Sequence, residues 1–115
     1  MKRLTEDQCR AAMETRDFGL DVRGAGETVA VVLTQSWCPQ WVAMRSWLDA
    51  AERDSGSEVF LLEYDLEPFF DEFMEFKETV FGNRSVPYVR YYRNGVLISD
   101  SNYLSKDGFQ KRLRG

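Results

Sequence analysis

The sequence contains no histidine. That absence excludes Cys–His and Ser–His catalytic pairs and any zinc site built on imidazole. Cysteine is scarce too: Cys9 and Cys38 are the only two. Two thiols so far apart in the chain make neither a disulfide framework nor a metal-ligand cluster, so no metal and no other cofactor is expected. No apolar run is long enough to span a bilayer. The opening residues Met1-Lys2-Arg3-Leu4-Thr5-Glu6-Asp7 hold no apolar leader core. Basic residues do not cluster with aromatics, and 15 Lys and Arg stand against 19 Asp and Glu. Neither nucleic acid nor a membrane is therefore expected as a partner. The few cysteines and the missing leader core lead us to expect a cytoplasmic protein in a reducing compartment.

What is present suits one core. The 115 residues are 43% hydrophobic, with three tryptophans, five tyrosines and eight phenylalanines. A single domain over residues 1–115 is expected. Thr5, followed by Glu6 and Asp7, is suited to start a helix reaching Phe18. Leu4, Cys9, Ala12, Met13 and Arg16 share one face, and Gly19 ends it. Residues 21–27 read as a loop. Thr28-Val29-Ala30-Val31-Val32-Leu33-Thr34 is apolar and β-branched without alternation, the pattern of a strand buried on both faces. Pro39 suits the first turn of a helix that runs toward Asp54 and breaks at Gly56. A second apolar strand covers 58–65. Pro68 then opens a helix reaching about Val80, with acidic residues on one side and phenylalanines on the other. Tyr88 to Arg93, Asn94-Gly95 and Val96 to Asp100 spell a β-hairpin, and Ser105 caps a last helix. The strand–helix–strand unit implies a parallel pair with a right-handed crossover, and the hairpin adds antiparallel strands. The fold class is α/β: a central mixed β-sheet flanked by helices on both faces.

The ordered set resembles the thioredoxin superfamily along almost the whole chain. It comprises a buried strand ending in Ser36-Trp37-Cys38, a helix starting at once, Val86-Pro87 after the third helix, and an Asn94-Gly95 hairpin followed by a C-terminal helix. The resemblance implies a thioredoxin-like fold, with Pro87 in the cis form beside Cys38. It also implies that the backbone before Pro87 pairs with an extended substrate peptide. The departures are as informative. The family's dithiol pattern places a second cysteine where this chain has Trp41. The aspartate that thioredoxins carry six residues ahead of the first cysteine is Val32 here. Pro39 follows Cys38 directly, as in glutaredoxins, but Ser101-Asn102-Tyr103 replaces the paired glycines that hold glutathione there.

Cys38 is the one candidate catalytic residue. At a helix N-terminus its sulfur would meet unpaired backbone N–H groups and the positive end of the dipole, both of which favour the thiolate nucleophile. Trp37, Pro39, Trp41, Val86 and Pro87 are the candidate substrate-binding residues. For Trp41, packing in the core is the competing reading. Arg84 and Tyr88 are candidates for holding an acidic group. Cys9, on an apolar helix face, is a poor resolving thiol. Two functions stay open: monothiol disulfide exchange with protein thiols or disulfides, with glutathione as a further partner, or a redox-silent binding module using the same surface. Either way, the native chain should not measurably accelerate the reduction of insulin by dithiothreitol. Robust turnover in that turbidity assay would refute the single-cysteine argument.

Overall fold

The structure, a computed structural model, describes residues 1–115. Strand β1 is only Lys2–Arg3 and lies at one sheet edge. It has no apolar pattern, which is why the sequence does not announce it. Helix α1 spans Glu6–Thr15. The Thr5 side chain accepts from the Gln8 N–H, and the Gln8 side chain answers the Thr5 N–H, closing a capping box. The helix stops earlier than the expected Gly19. Arg16 takes the left-handed conformation at φ 73° and is exposed, off the apolar face assigned to it. Gly19 instead precedes a short helix, α2 (Leu20–Arg23), inside the segment expected to be loop.

Strand β2 (Thr28–Thr34) is the buried run, and α3 (Pro39–Ser55) follows, with Pro39 in its first turn. Gly56 at φ 66° closes α3, where a left-handed residue frees the helix end. Strand β3 (Glu58–Glu63) ends two residues short of expectation, because Tyr64–Leu66 turn into a 3₁₀ segment. Helix α4 is Phe70–Thr79, so Pro68 lies before it rather than opening it. Strands β4 (Tyr88–Arg93) and β5 (Val96–Ser101) form the hairpin. Helix α5 (Lys106–Arg114) is capped by the Ser105 side chain. No helix is long and apolar enough to cross a membrane.

The five strands form one sheet in the order β1-β3-β2-β4-β5, parallel from β1 to β2 and antiparallel beyond. This is the expected mixed sheet with helices on both faces. Alternation along β2 divides the interior. Val29, Val31 and Leu33 pack with Cys9, Phe73, Tyr88 and Tyr92 on one face. Ala30 and Val32 pack with Cys38, Trp41, Leu48, Tyr91 and Phe109 on the other.

The sheet therefore lies between the two cysteines, and both are free thiols. Cys9 is fully buried. Burial, with smaller contributions from Glu67 and Glu6, pushes its thiol from an ordinary 9.0 up to about 12. The native state keeps this proton where the unfolded chain gives it up, so its contribution to stability is complete below pH 9 and lost as pH rises toward 12. Against Cys9→Ala, the native protein should lose up to about 1.4 kcal/mol per pH unit across that window. Urea midpoints of the two proteins at successive pH values measure it, and a constant difference would contradict the burial argument.

Candidate functional site

The site lies at the end of β2. Three side-chain contacts fix the turn between β2 and α3. The Ser36 N–H and Oγ donate to Asp65 Oδ1 and Oδ2 at 2.8 and 2.6 Å. Gln35 Nε2 donates to the Tyr64 hydroxyl at 3.3 Å, and Trp37 Nε1 donates to Gln35 Oε1 at 2.7 Å. The 3₁₀ segment after β3 thus anchors the loop that carries Trp37, a residue 64% exposed. An aromatic held this way can be covered by a partner at little cost in side-chain entropy.

Cys38 is the N-cap residue of α3, but its side chain makes no capping hydrogen bond. The sulfur does not turn to the helix N–H groups as the sequence suggests. Only 6% of the residue is exposed, and Sγ donates to the Val86 carbonyl at 3.6 Å. That contact suits a protonated thiol. To act as a nucleophile, the sulfur must leave it. The Val86–Pro87 bond is cis. Pro87 is buried, so the accessible part of this wall is the half-buried Val86, while Pro39 is exposed at the first position of α3. Val86 lies outside the ladder of β4, and its N–H makes no hydrogen bond within the chain.

Trp41 is not part of the accessible surface. It is fully buried, at the head of the inward stripe Trp41, Met44, Leu48 and Ala51 of α3. Its indole N–H donates to Glu63 Oε2 at 2.9 Å. Arg3 and Arg45 stand 3.9 Å from the same carboxylate. The spacing along α3 turns position 41 into the core, so the indole fills volume there instead of meeting a substrate. Tyr88 is likewise unavailable. It is buried, and its hydroxyl donates to Asp100 while accepting from Arg90. Arg84 is exposed in the preceding loop.

Four residues that matter here were not singled out in the sequence. Glu63 anchors Trp41 and Asp65 anchors Ser36. Asn102 Nδ2 donates to the Pro87 carbonyl at 3.1 Å, with the Ser85 carbonyl at 3.4 Å, and exchanges amide hydrogen bonds with Asn83. Lys77, on the inner face of α4, donates to the Ser85 carbonyl. Of these only Lys77 left a trace in the sequence. Phe70, Phe73, Lys77 and Val80 recur at helical spacing, and a lysine interrupts that apolar row. The other three contacts join residues too distant in sequence for any local pattern.

No protein-family model and no curated protein matches the sequence. Solved structures do match. Thioredoxin O1 from Arabidopsis thaliana in the oxidized state aligns at TM-score 0.70 and 10% identity, over 98% of this chain and 94% of that one. A mutant thioredoxin from Halobacterium salinarum aligns at 0.66 and 14%, over 82% and 78%. Oxidised thioredoxin from Plasmodium falciparum aligns at 0.64 and 13%, over 99% and 95%. The chain has the thioredoxin fold.

Truncating Trp41 to alanine should lower stability by about 3–5 kcal/mol, since it empties a large core volume and strips Glu63 of its donor. Equilibrium urea unfolding checks this, and a loss below about 1 kcal/mol would mean that the indole is not a core element.

Proposed function

We propose that this thioredoxin-fold chain takes part in thiol–disulfide exchange through Cys38 alone. The observation that carries the reading is the pairing of one thiol with the Val86–Pro87 wall, while a buried tryptophan occupies the place of a second thiol. The Cys38 thiolate attacks one sulfur of a substrate disulfide. A mixed disulfide forms, and the other substrate sulfur leaves as a thiolate. No internal thiol can complete the cycle: Trp41 has none, and Cys9 lies buried across the sheet. An external thiol, from glutathione or a second protein, attacks the mixed disulfide, departs joined to the substrate sulfur and regenerates Cys38. The net change is an exchange of thiols, with no metal, nucleotide or added oxidant. A cytoplasmic, reducing setting fits this role.

The unpaired Val86 N–H supports edge recognition of an extended peptide next to the sulfur. Trp37 supplies an exposed aromatic anchor on the other side. Two observations favour a second reading. The low exposure of Cys38 and its hydrogen bond to Val86 also suit a binding module in which the thiol is silent.

Partner capture separates the two. Native protein and Cys38→Ser are incubated with lysate, alkylated and resolved without reductant. Partners released by dithiothreitol from the native protein alone support exchange. The same partners retained by both proteins, without a reducible bond, mean a binding module.

A further inference from the structure

We infer that Lys77 is a positioning residue for the Cys38 site: from inside the core it orients the Ser85–Val86 peptide so that the Val86 N–H points outward beside the thiol. The inference deepens the exchange reading above, but it rests on geometry that can be tested apart from any redox activity.

Lysine is among the residues least often fully buried, and a charge out of water needs a partner. Lys77 is 0% exposed. It sits on α4 with Phe73 and Phe76, facing a core of aromatic rings. No carboxylate lies within ion-pair distance of it. Its ammonium has one hydrogen-bond partner, the Ser85 carbonyl, and lies 5.6 Å over the ring of Tyr88. Apolar packing alone would be served better by leucine or methionine at this position. The amine is therefore explained by what it holds.

What it holds is one side of a rigid group. The Ser85 carbonyl and the Val86 N–H belong to the same planar peptide, and in a trans peptide they point in opposite directions. Drawing the carbonyl inward onto Lys77 turns the N–H outward. The Val86 carbonyl, one peptide further on, accepts the Cys38 sulfur. From the other side Asn102 holds the Pro87 carbonyl and reaches the Ser85 carbonyl at 3.4 Å. The segment facing the thiol is thus gripped by a cation beneath it and an amide beside it.

Burial lowers the Lys77 ammonium from its ordinary 10.5 to about 8, with Glu78 on the same helix opposing. The other polar groups facing it come from β4 and β5. Tyr88 has its phenol pushed up to about 12 by burial, and Arg90 and Asp100 share hydrogen bonds with the Tyr88 hydroxyl. Lys77 is thus the group in this cluster that titrates near pH 8.

The test has two arms. In Cys38→Ser, which carries no thiol at the site, the ¹³C shift of the Ser85 carbonyl that accepts from Lys77 should follow one transition with a midpoint near pH 8. The transition should vanish in Lys77→Met/Cys38→Ser. In Lys77→Met with Cys38 intact, alkylation of Cys38 by iodoacetamide should rise about tenfold, the factor implied by losing one charge-assisted hydrogen bond on the wall covering the sulfur. Phe73→Leu, on the same helix face, controls for lost stability and should stay within about twofold. A flat Ser85 carbonyl ¹³C shift from pH 6 to 10 overturns the inference, and so does unchanged alkylation in folded Lys77→Met. If Lys77→Met does not fold, the Cys38→Ser titration decides alone. A positive result here with no disulfide-linked partner in the capture experiment would leave Lys77 in place and remove the exchange reading.

Discussion

Strand β2 is bonded along both edges and packed on both faces, and the other elements take their places from that requirement. It pairs in parallel with β3 and antiparallel with β4, so none of its backbone is left to water. Its side chains alternate into two cores. A strand buried this way needs a helical layer on each side. The chain provides α1 and α4 on one face, α3 and α5 on the other. The end of β2 is where the paired backbone stops and the turn into α3 begins. Cys38 is there because the sheet stops there.

The site keeps the frame of a thioredoxin-fold centre while its interior is rebuilt. Where the superfamily pattern has an aspartate and a second cysteine, this chain has Val32 and Trp41, both fully buried in one core with Cys38. Glu63 accepts the Trp41 indole N–H and faces Arg3 and Arg45. A carboxylate so engaged gives the indole a partner that burial would otherwise deny it. Val32, Trp41 and Cys38 thus share one packed core, and Cys38 is the one thiol in it. On the opposite wall Lys77 and Asn102 hold the segment around the cis Val86–Pro87 bond.

Much of this was legible in the residues. The apolar run 28–34, Pro39 in a first helical turn, the Asn94-Gly95 hairpin and the cap at Ser105 are local signals, and each appears where its chemistry predicts. Errors fall where a tertiary contact outweighs a local one. Lys2–Arg3 becomes a strand only because the edge of β3 is open to it. The α1 helix stops at Arg16 and not at Gly19. Trp41 reads as a core filler or as a surface anchor until the face of α3 is known.

The sequence by itself determined the mixed sheet, the position of Cys38 at a strand–helix junction, and the tryptophan in place of a second cysteine at position 41. Periodicity, turn residues and residue counts are local or compositional properties, and they survive without coordinates. Only the tertiary structure decided where the Cys38 sulfur points, that Trp41 is buried on Glu63, and that Lys77 lies beneath Ser85. Each of these is a contact between segments separated by many residues. Its sign depends on burial and direction, which no linear pattern encodes.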